Sequence, residues 1–193
     1  MLISIVKKLI GKNVSNDVPR RIYGAVVTQA RNASFFSDLG IADTVMGRYD
    51  MLALHVFLVN RRLKYVETSD RLRASGLSQE IFDLFVVDLE RGLRDLGYAD
   101  TGVHKRKKRL ARSYYALIEE FGEALEADNC GNLTHAIGSR YFDKFSESEK
   151  LSYASLLEAY MFHAVSFLAQ QSFLDIVSGE INWPAISVKS VEY

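Results

Sequence analysis

The segment MLALHVFLVNRRLK, residues 51–64, decides how this chain folds. Apolar side chains occupy most of its circumference when it is wound as a helix at about 100° per residue. Such a helix is enclosed by other helices, whereas a surface helix keeps one polar face. The sequence therefore predicts a central helix, and Asp43 or Thr44 is a suitable residue to cap its beginning.

Two polar residues fall on the apolar faces of the predicted core helices. His55 lies in the middle of the central segment, and Asp88 shares a stripe with Ile81, Leu84 and Phe85. A buried imidazole needs hydrogen-bond partners, and a buried carboxylate needs a histidine, an arginine or a hydroxyl group beside it. We expect a structural polar pair between His55 and Asp88. A role for His55 as a ligand or general base is the less favoured alternative.

Helical periodicity continues on both sides of the central segment. The first predicted helix is capped by Asp17 or Asn16, has Pro19 in an early turn and runs to about Asn32. The others run from Ser78 to Gly97, from near Val103 onward, from Asn132 to Phe145, and from Ser146 or Ser148 to Gly179. No alternating strand pattern and no repeat interrupts them. The sequence predicts an all-α fold, a single-domain bundle of about six to eight helices over residues 13–184. Residues 185–193 form a C-terminal tail, and the ending INWPAISVKSVEY is predicted to lie extended on the surface.

Composition agrees with an ordinary globular domain. The chain has 193 residues, 48% of them hydrophobic, and 24 basic residues balance 24 acidic ones. This content argues against disorder. The single cysteine excludes an intramolecular disulfide. No stretch approaches the roughly 20 apolar residues of a membrane span. We therefore expect a cytoplasmic protein that can still bind the inner membrane peripherally.

The first 12 residues, MLISIVKKLIGK, have the pattern of a basic amphipathic helix. Such a helix can lie on an anionic membrane, bind a partner, or close over the core. The residues expected to contact a membrane are Leu2, Val6, Lys7, Lys8 and Leu9.

Catalytic and metal-binding patterns are not found in the sequence. The four histidines are scattered, no phosphate-binding loop or nucleophile elbow occurs, and no helix carries paired metal ligands. We therefore predict a protein that is not an enzyme and needs no cofactor or metal. Recognition of another molecule becomes the leading class of function.

A run of positive charge opens the helix after Gly97. Its cations are Lys105, Arg106, Lys107, Lys108, Arg109 and Arg112. At 100° per residue Leu110, Tyr114 and Phe121 face inward, so the cations face solvent or flank that face. Positive charge near a helix N-terminus opposes the helix dipole, which favours a binding role over simple solubility. Such a patch suits phosphates, anionic headgroups or an acidic protein surface, but not base-specific reading of nucleic acid.

Three stretches of the chain resemble the ubiquinol–cytochrome c chaperone family, the assembly factors of the cytochrome bc complex (respiratory complex III). They are residues 22–64, residues 81–110 with the corner GYAD, and the ending GEINWP at residues 179–184. The resemblance implies an all-helical chaperone without catalysis that holds newly made cytochrome b. In mitochondrial relatives it further implies work near the ribosomal exit tunnel with a small partner. The chain has no evident presequence, which favours a bacterial member; a mature eukaryotic chain would work in the mitochondrial matrix.

The sequence leaves two functions open. The first is a chaperone or assembly factor whose client is cytochrome b or another respiratory membrane protein. The second is an RNA- or ribosome-binding helical module that uses the basic helix, residues 105–112. In either case the cations can meet a ribosome or an anionic membrane surface. An enzyme or lipid carrier has no motif to support it.

Overall fold

The computed structural model describes residues 17–126 and 130–186, and within these ranges the chain contains no strand. It forms six α-helices of 12 to 27 residues and two shorter ones. These are α1 (Val18–Ala30), α2 (Ser34–Ser37), α3 (Val45–Lys64), α4 (Arg71–Asp95), α5 (Asp100–Glu126), α6 (Cys130–Tyr141), α7 (Glu147–Gln170) and α8 (Phe173–Ser178). The predicted all-α single-domain bundle is confirmed.

Two predicted segments extend beyond the described residues. The amphipathic segment 1–12, with Leu2, Val6, Lys7, Lys8 and Leu9, lies outside them, as do residues 187–193 of the predicted tail. No helix in the described ranges combines the length and the apolar content needed to cross a bilayer.

Helix α3 is the centre of the bundle, as its composition predicts. Every side chain from Ala53 to Val59 is buried. Helices α1, α4 and α7 pack around α3, and α5 contacts it from a further side. Thr44 caps α3, because its side-chain oxygen accepts the backbone N–H of Gly47 at 3.1 Å. The apolar circumference of residues 51–64 thus reflects contact with helices on several sides.

Helix α4 begins earlier than the local capping signal predicts. It starts at Arg71, after a 3₁₀ turn at Thr68–Asp70, and Ser78 is an interior residue. Ala74 and Leu77 are buried on the same stripe as Ile81. Because the apolar stripe continues upstream of Ser78, packing extends the helix past a residue that could have capped it.

The long C-terminal helix is also divided. Helix α7 begins with the predicted cap at Ser146, in a capping box with Glu149, but it ends at Gln170 rather than Gly179. Ser172 then caps the short helix α8, because its hydroxyl accepts the N–H of Asp175 at 3.1 Å.

An arginine of the central helix binds the chain where α7 ends and α8 has not yet begun. Arg62 donates to the carbonyl oxygens of Leu168 at 2.9 Å and Gln171 at 2.8 Å. The Leu168 carbonyl also accepts the backbone N–H of Gln171 at 3.3 Å, so Arg62 adds to the hydrogen bonding at this helix end. The break therefore depends on a tertiary contact that local periodicity does not show.

The segment after Gly179 packs into the bundle instead of lying on its surface. Ile181 and Pro184 are buried, and the Trp183 ring meets the His55 ring edge-on at 4.9 Å between centroids. The side-chain amide of Gln171 holds the backbone of Asn182, because its Nε2 donates to the Asn182 carbonyl at 2.9 Å and its Oε1 accepts the Asn182 N–H at 2.8 Å. The described part of this ending, residues 181–186, lies outside the helices, and its predicted placement on the surface is wrong for Ile181 and Pro184, because these side chains complete the core.

Candidate functional site

A groove of about 590 Å³ opens between α1, α3, α4 and the beginning of α5. We call it the arginine-rimmed groove, for the residues described below. Its lining includes the apolar or aromatic side chains of Val45, Met46, Leu52, Leu89, Leu96 and Tyr98. Val45 is 58% exposed, Met46 45% and Leu96 50%. Contiguous apolar side chains this exposed are typical of a binding surface.

Helix ends produce this exposure. Val45 and Met46 occupy the first turn of α3, directly after the cap at Thr44, before the helix enters the core. Leu96 directly follows α4 as its C-cap residue, and Gly97 turns the chain with a φ of +81°. Only glycine takes that conformation cheaply, so the chain leaves the α4 direction there and Leu96 stays uncovered.

Four arginines line the groove: Arg31, Arg48, Arg106 and Arg109. Arg48 is bound to Asp43, with N–O distances of 2.7 and 3.2 Å. The guanidinium of Arg106 lies over the ring of Tyr98, with its Cζ 3.7 Å from the ring centroid. Within the described residues, no ion pair is formed by Arg31, Arg106 or Arg109.

Two carboxylates belong to the same lining, Asp88 and Asp95 of α4. The Asp88 carboxylate accepts a hydrogen bond from the Tyr23 hydroxyl of α1 at 3.0 Å. Burial, reinforced by this carboxylate, holds the pKa of Tyr23 far above its ordinary value, so Tyr23 remains a donor. The groove therefore carries more positive than negative charge, and one of its two carboxylates is already bound.

The expected pair between His55 and Asp88 does not form. His55 is fully buried, and its Nδ1 lies 2.6 Å from the carbonyl oxygen of Met51 and its Nε2 2.7 Å from the Tyr160 hydroxyl. Both ring nitrogens are thus occupied by α3 itself and α7. Asp88 faces α1 and uses a tyrosine hydroxyl. The physical reason is orientation, since each residue meets a different neighbouring helix.

The six predicted cations of α5 separate into three groups. Lys107 is paired with Glu90 of α4 at 2.6 Å, and hydrogen bonds from Lys107 and Arg94 hold the pKa of Glu90 below its usual value. Arg106 turns into the groove and stacks on Tyr98. The remaining four are exposed along one face and have no ion pair in the described part of the chain: Lys105, Lys108, Arg112, and Arg109, which also lines the groove. We call these four the outer stripe.

The beginning of α5 changes the argument from the helix dipole. The helix starts at Asp100, not near Val103, and so carries an acidic residue in its first turn. Asp100 also binds Arg94 at 2.5 Å. Because the dipole acts mainly within the first turn, the cations that follow cost less stability than their sequence position suggests. The predicted inward face is confirmed, since Leu110, Tyr114 and Phe121 are buried.

Comparison with known proteins adds an independent observation. The family model described as ubiquinol–cytochrome C chaperone matches residues 37–183. The chain belongs to the ubiquinol–cytochrome c chaperone family. A crystal structure described as the Cbp3 homolog from Brucella abortus is similar to it, with 30% sequence identity, a TM-score of 0.81 and coverage of 96% of this chain and 98% of that one. No curated protein matches the chain.

Most of the arginine-rimmed groove lies within the residues matched to the chaperone family. Its walls from α3, α4 and α5 fall between Val45 and Leu110, inside the match, whereas Arg31 and the end of α1 lie before it. No group of three potential metal ligands occurs in the residues that the structure describes.

Sequence reasoning missed the apolar residues of the groove. Val45 and Met46 lie in the first turn of α3, directly after the cap at Thr44, and that position is a usable signal of exposure. Leu96, in contrast, belongs to the apolar stripe of α4 by periodicity, and only the turn at Gly97 exposes it.

Proposed function

We propose that this protein is a non-enzymatic assembly chaperone of the cytochrome bc complex that holds newly made cytochrome b in the arginine-rimmed groove. The observation that carries the proposal is the exposed apolar lining, with Val45, Met46 and Leu96 each at least 45% exposed, in a member of a chaperone family. A nascent membrane protein presents long apolar segments that need cover until assembly. We propose that this work takes place at the cytoplasmic face of the inner membrane, or its matrix face in a mitochondrion.

Gly92 offers a steric test of this function. It lines the groove, and a Cβ added there meets no other atom within 4 Å. A Gly92→Phe variant should therefore fill the groove without distorting α4. We expect at least about a tenfold loss of cytochrome b crosslinked in cells to a photoreactive residue at position 96.

The matched control is Gly24→Phe. Gly24 lies on α1, outside the groove lining, and its added Cβ also meets nothing within 4 Å. This variant should crosslink like the unmodified protein. A photoreactive residue at Leu72, which is 92% exposed and outside the groove lining, should capture little cytochrome b. Equal capture from positions 72 and 96 would rule out the groove as the client site.

The outer stripe supports a second function, contact with a phosphate-rich surface such as ribosomal RNA or an anionic membrane. Its four cations are exposed and are not engaged by acidic residues in the described ranges. Binding through phosphates weakens steeply with salt. We expect the triple change of Lys105, Lys108 and Arg112 to Gln to make ribosome binding less sensitive to salt. The steepness with which the logarithm of the association constant falls against the logarithm of salt concentration should decrease by about 2–3.

The control for this experiment removes the same charge elsewhere. Arg20, Arg73 and Lys144 are exposed cations outside α5, and their combined change to Gln should leave the salt slope unaltered. Cosedimentation with ribosomes, and flotation with anionic vesicles, separates the two phosphate sources. If both triple variants reduce binding equally, the contact is one of net charge and not of this stripe.

A further inference from the structure

The unpaired arginines of the groove differ from the other cations around them. Arg48 is held by Asp43, Lys107 by Glu90, and Arg94 by both Glu90 and Asp100. Arg106 and Arg109 line the groove with no carboxylate partner in the described part of the chain. The carboxylates of Asp43, Glu90 and Asp100 thus bind other cations. The guanidinium groups of the two groove arginines are therefore free to bind another molecule.

Arg106 is also held in place. Its guanidinium lies over the Tyr98 ring at 3.7 Å from Cζ to the ring centroid. Stacking restricts the side chain while leaving the N–H groups at the edge of the plane available. A planar guanidinium fixed in this way suits two parallel hydrogen bonds to a carboxylate or a phosphate.

The distribution of charge favours a peptide over a lipid. The arginines belong to three parts of the fold: Arg31 follows α1, Arg48 lies in α3, and Arg106 and Arg109 lie in α5. The lining also contains Asp95, which repels a phosphate but can be matched by a cation of a peptide.

The fold favours a helical form for that peptide. The described residues contain no strand, so the groove offers no sheet edge to which an extended peptide could add. Its walls are helices whose backbone groups are largely bound within the helices. A segment that enters this groove must satisfy its own backbone, which a helix does.

We propose that the arginine-rimmed groove binds an amphipathic helix whose apolar face fills the groove and whose carboxylates pair with Arg106 and Arg109. This inference rests on the proposed function and names the chemistry of the client segment. The apolar lining supplies affinity, and the two arginines select acidic flanks over basic ones.

Three synthetic helical peptides test the proposal. They are 18-residue peptides with the same leucine face, flanked by glutamate, glutamine or lysine. We expect the glutamate peptide to bind at least about tenfold more tightly than the glutamine peptide, and the lysine peptide to bind most weakly, by titration calorimetry. Equal binding of the three peptides would overturn the proposal.

Matched variants of α5 identify the residues responsible. Arg106→Gln with Arg109→Gln should abolish the preference for glutamate. Lys105→Gln with Arg112→Gln removes the same charge from the outer stripe and should preserve it. Equal loss in both double variants would show a long-range charge effect and contradict the assignment. Melting temperatures confirm that each variant is folded.

Anionic lipid is the competing occupant. Vesicles containing phosphatidylglycerol serve as the probe. If the Arg106/Arg109 variant loses vesicle binding while the peptides show no charge preference, the groove takes a headgroup and the proposal is wrong. If Gly92→Phe prevents cytochrome b crosslinking but the Arg106/Arg109 variant does not, the chaperone site remains and only the carboxylate pairing fails.

Discussion

Gly47→Ala is expected to lower the free energy of unfolding by about 3 kcal/mol or more. A Cβ at Gly47 would lie 1.9 Å from the carbonyl oxygen of Ala42 and 3.3 Å from Cγ2 of Ile41. The obstructing atom belongs to the backbone, so no rotamer change relieves the overlap. The turn before α3 or the helix itself would have to move.

The consequence reaches the groove, because Gly47 directly follows Val45 and Met46. Displacing the first turn of α3 would shift one wall and the cap at Thr44. We therefore expect Gly47→Ala to reduce client crosslinking as well as stability. Urea denaturation followed by circular dichroism measures the first effect.

Gly24→Ala is the control for this substitution. Gly24 lies within α1, where an added Cβ meets nothing within 4 Å. Alanine is the better helix former, so this variant should gain about 0.5–1 kcal/mol. If both variants changed stability in the same direction and by the same amount, the close approach of Ala42 would not be the cause.

His55→Ala is expected to cost about 3–5 kcal/mol at pH 7. The ring packs against Phe35 and Trp183, at centroid distances of 5.1 and 4.9 Å. Removing it leaves a cavity and takes one hydrogen-bond partner from the Met51 carbonyl and one from the Tyr160 hydroxyl, which keeps its bond from Gln29 at 3.1 Å. Tyr160→Phe keeps the packing and deletes one hydroxyl, so it should cost about 1–2 kcal/mol.

The His55 contribution should also depend on pH. Burial lowers the pKa of His55 to about 4, although the Met51 carbonyl acts in the opposite direction. An unfolded chain binds this proton near pH 6.5, so its protonation favours unfolding as pH falls from about 6.5 to about 4. The stability that His55 adds is complete above pH 6.5 and decreases by about 3 kcal/mol across that range.

The measurement compares wild type with His55→Ala at each pH. This difference is needed because burial raises the pKa of Asp50 to about 6, although Arg140 opposes the shift. A raised carboxyl pKa stabilises the fold at low pH and loses that effect as pH rises, opposite to His55. Asp50 is present in both proteins, so its effect cancels. A difference that stays constant from pH 7 to pH 4 would contradict a neutral buried His55.

Local sequence signals located most helix ends because those signals act within one turn. Thr44 and Ser146 cap helices and Gly97 ends one as predicted, whereas Gly179 ends the short helix α8 and not the long helix that begins after Ser146. Ser78 failed as a predicted helix start because the apolar stripe through Ala74 and Leu77 packs against neighbours. A cap contributes about 1 kcal/mol, and burial of two apolar side chains contributes more.

Tertiary contacts decided which polar groups meet. Periodicity could place His55 and Asp88 on inward faces, but it could not state which helix each face would touch. The structure brings Tyr160 to His55 and Tyr23 to Asp88. Both partners are more than 60 residues away in sequence, and such pairings depend on how helices rotate against one another.

The basic helix shows the same division. Its sequence determined the inward face of Leu110, Tyr114 and Phe121, because side chains repeat every 3.6 residues along any helix. The tertiary structure decided that Lys107 is bound to Glu90 and that Arg106 turns into a groove. The groove itself exists because helix ends at Val45 and Leu96 come together in space, and one-dimensional periodicity carries no information about the meeting of distant helix ends.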